Sequence, residues 1–203
     1  MRNRWSILCY TLACVLLGST VGVHVAAESE TPLQLVERLV HAIIRIKPSN
    51  STLSATDQTA NAAAAKEANA ILDLPAVAQR TLGKHWQARP PAEQREFIAL
   101  LEQLFTKVAY PKSAEFFHGL EVNFAKENIT GQRATVKTTV KHPKEGLVAV
   151  DYRLVQEGGV WHVQDIVLDD VSLAANLQSQ FNKIITENSY AELLRRMRDK
   201  LNE

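Results

Sequence analysis

Cysteine, glycine and one-sided charge are all scarce in this chain, and each shortage removes a class of function. Only two cysteines occur in 203 residues, Cys9 and Cys14, both near the start, so the body of the chain has no disulfide, thiol nucleophile or cysteine-ligated zinc. The 23 basic and 22 acidic side chains nearly balance. Without a cationic excess there is no drive to neutralise nucleic-acid phosphates. The eight glycines never form a glycine-rich turn between a strand and a helix, so the phosphate cradles of dinucleotide and P-loop folds are missing. No G-x-S-x-G turn is present for serine catalysis. His41, His85, His118, His142 and His162 are scattered with no pair at ligand spacing, so no metal and no cofactor is expected. What remains is an ordinary globular composition, 46% hydrophobic, in a chain long enough to bury a core without staples.

The first 27 residues read as an address. Arg2 and Arg4 form a positive start, Ile7 to Leu17 an apolar stretch, and Val25-Ala26-Ala27 a small-residue cleavage pattern. The expected division is a signal peptide over 1–27 and one domain over 28–203, exported to the periplasm. An uncleaved anchor is the rival, but Gly18, Ser19, Thr20, Gly22 and His24 interrupt the run before the ~20 apolar residues a span needs. Acylation at Cys14 is disfavoured by Thr11 and by the apolar residues that follow. Removing Arg2 and Arg4 leaves one basic residue fewer than the 22 acidic ones, so bulk charge would not hold the mature chain on a membrane.

Beyond the leader, Leu35, Val36, Leu39, Val40, Ile43 and Ile44 recur at helical spacing behind a Thr31 N-cap. Lys47 to Thr59 reads as a loop, and the alanine-rich Ala60 to Leu72 as a partly exposed helix. Asp73 caps a third helix from about Pro75 to Trp86, stopped by Arg89-Pro90-Pro91. Phe97, Leu100, Leu101, Leu104, Phe105 and Val108 then form the clearest apolar stripe. Pro111 breaks that pattern, and a short helix with Phe116 and Phe117 closes at Gly119.

From there the period changes to two. Glu121 to Ala125, Arg133 to Lys141, Leu147 to Gln156 and Val160 to Leu168 alternate as strands of an antiparallel meander. One face carries Ala134, Val136, Thr138 and Val140, then Val148, Val150, Tyr152 and Leu154, then Trp161, Val163 and Val167. Two helices follow, one from Ser172 bearing Leu173, Leu177, Phe181, Ile184 and Ile185, and one from Tyr190 to Leu201. The expected class is α+β: a four-stranded antiparallel sheet wrapped by about six or seven helices. Asp165, placed by parity with Trp161 and Val163, could be a general base with a raised pKa in an apolar setting; the alternative is a structural acceptor near a helix end.

Several segments together resemble a known family. Ile71-Leu72-Asp73-Leu74, Leu82-Gly83-Lys84-His85-Trp86, Gln94-Arg95-Glu96-Phe97, Val150-Asp151-Tyr152-Arg153-Leu154, Trp161-His162-Val163-Gln164-Asp165, and Val171-Ser172-Leu173 with Asn176 and Gln180-Phe181 stand in the order found in MlaC-type periplasmic carriers, also called toluene-tolerance proteins. Two features depart from that pattern: Asp170 where a glycine is common, and a polar, alanine-rich Pro48 to Ala65. The resemblance implies an NTF2-like sheet with helices around a deep apolar cavity. It also implies a noncovalent phospholipid carrier, a monomer transiently near membranes, working between an outer-membrane lipoprotein partner and an inner-membrane Mla-type ABC transporter. A sister branch associated with hopanoid biosynthesis looks similar over the same motifs.

The resemblance points to Val171 as cavity lining, with apolar residues of the preceding strands. The amphipathic stripes add Trp86, Phe97, Leu101, Leu104, Phe105 and Val108, then Phe116 and Phe181. From the sheet come Val136, Val148, Val150 and Tyr152, with Trp161, Val163 and Val167. Arg80, Lys84 and Arg153 neighbour the motifs and are the head-group candidates. The physics is compatible: about 30 tail methylenes at ~0.8 kcal/mol each would cost on the order of 20 to 25 kcal/mol in water. A carrier must therefore offer a dry cavity near ~1,000 Å³, the upper end of ordinary ligand pockets. An NTF2-like enzyme using Asp165, or a solid protein-binding module, would need no such space.

Overall fold

The computed structural model describes residues 30–47 and 53–203; the expected signal peptide lies outside the described residues. Local signals position most helices. The Thr31 hydroxyl accepts from Gln34 N–H at 3.2 Å, and the Gln34 side chain answers at the Thr31 N–H, a capping box that starts α1, Pro32–Ile44. Ser54 and Asp57 form a second box, so α2, Ala55–Ile71, begins inside the stretch expected to be a loop. Lys47 and Asn61 exchange two hydrogen bonds of 2.9 Å, which ties the end of α1 to the start of α2. Asp73 caps α3, Leu74–Leu82. That helix stops four residues before Trp86 because Gly83 adopts φ 53 and opens a short 3-10 turn, Gly83–His85.

The next helical stretch corrects a second expectation. Pro111 does not end it: α4, Pro91–Leu104, passes through a π turn, Phe105–Ala109, into α5, Tyr110–Phe117. Pro111 falls in the first turn of α5, where the missing N–H costs nothing and the wider π turn has reset the frame.

The sheet has five antiparallel strands, one more than expected, each beside its chain neighbour. They are β1 Val122–Thr130, β2 Arg133–His142, β3 Gly146–Glu157, β4 Val160–Leu168 and the two-residue β5 Val171–Ser172. The NTF2-like four-stranded arrangement is thus replaced by an open five-stranded meander within the same α+β class. β2 and β3 pair without interruption, whereas β4 carries a bulge: Arg153 faces Asp165 and Leu154 faces Val163, which leaves Gln164 as the extra residue. A one-residue insertion reverses side-chain parity. Asp165 and Val167 therefore lie opposite Trp161 and Val163, while Ile166 and Leu168 join Tyr152 and Val150 on the inner face.

The helices α6, Leu173–Glu187, and α7, Tyr190–Asn202, complete the chain and divide the interior. One apolar cluster sets the inner sheet face against α1, the alanines of α2, and Tyr110, Ala114 and Phe117 of α5. The other is wholly helical, joining α3 and α4 to α6 and α7 through Leu82, Phe97, Phe181 and Leu193. Phe105, at the π turn, touches both.

Candidate functional site

Two apolar recesses lie side by side, the smaller between these clusters and the larger against the sheet-side one, and both are lined by Ile166 and Leu173. The larger, about 230 Å³, has walls of Ile43, Phe116, Phe117, Val150, Tyr152 and Leu168, with Lys112 and Ser113 from α5. The smaller, about 40 Å³, reaches Leu72, Val77, Phe105, Ala174 and Leu177. Apolar side chains are left uncovered on the adjoining segment: Leu168 is 39% exposed, Val171 54% and Leu173 41%. Leu168 and Val171 are register partners, so β4, β5 and the first residue of α6 present one apolar edge.

That edge is held by a strained turn. Asp169 and Asp170 both take positive φ, 43° and 65°, the pair of left-handed residues a two-residue hairpin wants and that glycine or asparagine usually supplies. Asp169 is fixed by two hydrogen bonds with Ala149, its N–H donating to the Ala149 carbonyl and its carboxylate accepting from the Ala149 N–H, each 3.0 Å. Behind the turn, the Asp165 carboxylate accepts from Ser172 Oγ at 2.7 Å, Ala174 N–H at 3.1 Å and Arg153 Nη1 at 3.2 Å. Three donors fill both oxygens at the start of α6, where a negative charge is favourable. The carboxylate is a buried strut that ties β4 to β3 and to the start of α6, with both oxygens engaged.

The recesses correct the expectation of a single large cavity. Each is below the ~300 Å³ at which ligand pockets usually begin, because alanine and valine let α1, α2 and the sheet approach closely. Two acyl chains fit only if the walls separate further. Ile166, Phe105 and Phe116 are the partly buried apolar residues in those walls.

The sequence-derived residues are distributed unevenly. Phe116, Val150 and Tyr152 meet in the larger recess and Phe105 in the smaller. Val136, Val148, Trp161 and Val163 are buried in the sheet-side cluster, and Val171 is on the exposed edge. Phe97, Leu101 and Phe181 are in the helical cluster with Trp86 and Leu104 packed against it. Val108 is half-buried in the π turn, and Val167 is buried on the other sheet face. Of the cations, Arg80 donates to the Gln164 side chain at 2.8 Å and its carbonyl at 3.4 Å, Arg153 pairs with Asp165, and Lys84 borders a separate groove with Gln178 and Asn182. Lys112 is the cation in the wall of the larger recess. In the larger recess, sequence reasoning missed Ile43, Lys112, Ser113, Phe117, Ile166, Leu168 and Leu173; the bulge at Gln164 concealed Ile166 and Leu168, and the unexpected continuity of α4 into α5 concealed Lys112 and Ser113.

Among the described residues no three His, Cys, Asp or Glu side chains gather as metal ligands, and no helix is long and apolar enough to cross a membrane. No curated protein matches the chain. Among solved structures, a phospholipid-binding protein from Ralstonia solanacearum, in complex with a phospholipid, is similar with a TM-score of 0.67 at 16% identity, over 86% of this chain and 97% of that one. The model of the family described as MlaC protein matches residues 37–199, which takes in most of both apolar clusters and the exposed apolar edge, and the chain belongs to the MlaC family.

Proposed function

We propose that this protein is a noncovalent carrier of diacyl phospholipid, with residues 1–27 removed on export and 28–203 working in the periplasm. Its tails would enter between the two clusters, past Leu168, Val171 and Leu173, and press against Phe105, Phe116, Val150, Tyr152 and Ile166. The observation that carries this reading is the apolar recess of the sheet-side core beside an uncovered apolar edge. Membership of the MlaC family and the phospholipid held by the Ralstonia solanacearum protein support it. A lipid would move from one apolar setting to another at little net cost, so that direction is set by the proteins at each end: an outer-membrane lipoprotein partner and an inner-membrane Mla-type ABC transporter. The engaged carboxylate of Asp165 supports a role without covalent chemistry.

Organic extraction of the protein purified from a bacterial periplasm, followed by mass spectrometry, tests this directly. About one diacyl phospholipid per chain is expected; consistently lipid-free protein would overturn the reading. Val171→Glu sits at an exposed position and should change stability by no more than about 0.5 kcal/mol, yet it places a charge on the path of the tails. We expect unchanged circular dichroism with loss of most of the lipid. Normal lipid content in that variant would remove Val171 from the site.

A further inference from the structure

A buried tyrosine ordinarily finds a partner for its hydroxyl, and two of the buried tyrosines here do. Tyr110 Oη donates to Asn69 Oδ1 at 2.6 Å, and Tyr190 Oη to the Glu93 carbonyl at 3.1 Å. Tyr152 differs. It is 2% exposed, on the inner sheet face among valines and leucines, and its hydroxyl makes no hydrogen bond among the described residues. Thr138, which shares that face, is satisfied by the Val150 carbonyl at 2.7 Å. Burial alone holds the Tyr152 hydroxyl in its neutral form, well above the usual tyrosine range. A neutral phenol can donate one hydrogen bond and accept others. The oxygen is not sealed off, since Arg89 Nε is the one fully buried side-chain polar atom without a partner among the described residues; a hydroxyl that faces an apolar recess without a protein partner is available to a ligand, and phenylalanine would fill the same space without offering it.

The Tyr152 side chain lines the larger recess, and the other polar side chains in that wall are Ser113, half-buried, and Lys112, exposed. Neither makes a side-chain hydrogen bond or ion pair among the described residues. The wall thus has an apolar body, a buried phenol, a half-buried hydroxyl and an exposed cation. A diacyl phospholipid offers groups of matching chemistry: hydrocarbon tails, then ester carbonyls that accept hydrogen bonds, then a phosphate.

We propose that Tyr152 and Ser113 donate hydrogen bonds to the ester carbonyls of the bound lipid while Lys112 meets its phosphate, so that the recess selects ester-linked over ether-linked glycerolipids. The assignment rests on the phospholipid-carrier reading and adds the chemical linkage that the site recognises. It separates Lys112 from Arg80 and Arg153, whose guanidinium groups already serve Gln164 and Asp165.

The test is a competition. The protein is incubated with vesicles containing equal amounts of diacyl and dialkyl phosphatidylcholine of one chain length, re-isolated, and its extracted lipid measured by mass spectrometry. The wild-type protein should be enriched in the diacyl form by about three- to tenfold, the range one neutral hydrogen bond supplies. Tyr152→Phe and Ser113→Ala should each move the ratio toward that of the vesicles, the double variant should reach it, and Lys112→Gln should lower total lipid without changing the ratio. Equal uptake of both lipids by the wild-type protein, or an unchanged preference in Tyr152→Phe, overturns the assignment and leaves the carrier reading standing. Uptake of neither lipid overturns both. Should Tyr152→Phe fail to fold, the wild-type ratio decides alone.

Discussion

Phe97 and Phe116 make a useful pair, one in each half of the molecule. In the helical half, Phe97 is 0% exposed and meets Phe181 edge to face at 5.8 Å between centroids. In the sheet half, Phe116 is half-buried, meets Phe117 at 5.1 Å, stacks on the His142 ring at 5.3 Å, and turns part of its surface to the larger recess. Helices can rotate and slide until their stripes interlock. A sheet face is fixed by its hydrogen-bond ladder, so it depends on the helices laid over it to fill every gap. Here α1, α2 and α5 cover the inner face of β2 and β3 but not its border at Ile166 and Leu168. The closed half is filled by its own side chains, and the proposed ligand site falls in the half with a border available.

The sharpest way to break this contrast is to truncate the two phenylalanines. Phe97→Ala should cost about 3–5 kcal/mol, a fall in melting temperature on the order of 10 °C, with lipid content per folded chain unchanged. Next in size is Asp165→Ala, which removes three charge-assisted hydrogen bonds, two to the start of α6 and one to Arg153 of β3. We expect about 2–3 kcal/mol of lost stability by denaturant titration. A loss under ~0.5 kcal/mol would remove Asp165 as the strut that joins the halves. Phe116→Ala should cost only about 1–2 kcal/mol, since the ring is already partly exposed, but should lower lipid content several-fold. If instead it destabilises as much as Phe97→Ala and leaves lipid untouched, the two halves do not differ as described.

Two smaller effects refine the comparison. Asp170→Gly should relieve a left-handed backbone and raise stability by about 0.5–1 kcal/mol, read as a rise of a few degrees in melting temperature; no rise would mean that Asp170 compensates through its side chain. In the helical half, hydrogen bonds from Arg195 and then Arg196 hold the Glu192 carboxyl at about 2. Its folded pKa is below the unfolded one, so its contribution is complete above the unfolded value and is lost as pH falls through about 2. The groups are exposed, so the effect is small. Protection factors for amide exchange in α7 should fall between pH 4 and pH 2 in the wild-type protein, and less so in Glu192→Gln.

Much of this was legible from local pattern. Thr31 and Asp73 cap the helices they were expected to cap, a helix starts at Ser172 as expected, and the inward residues of β2 and β3 follow strict alternation, because caps and pleats involve residues two to four apart. The family, too, was readable from ordered short motifs. The site was less so. Phe116, Val150 and Tyr152 came from periodicity, but the stripe of Phe97, Leu101 and Phe181 looks identical in sequence to a cavity wall, and only packing distinguishes the two. The bulge at Gln164 also escapes local pattern: its existence depends on how β4 registers against β3, and it moves Asp165 and Val167 to one face and Ile166 and Leu168 to the other. The sequence by itself determined the elements, their caps and the α+β class, since these follow from near-neighbour chemistry. Only the tertiary structure decided which stripes close, which polar groups are left without partners and where the two cores part, because those outcomes depend on surfaces that meet from distant parts of the chain.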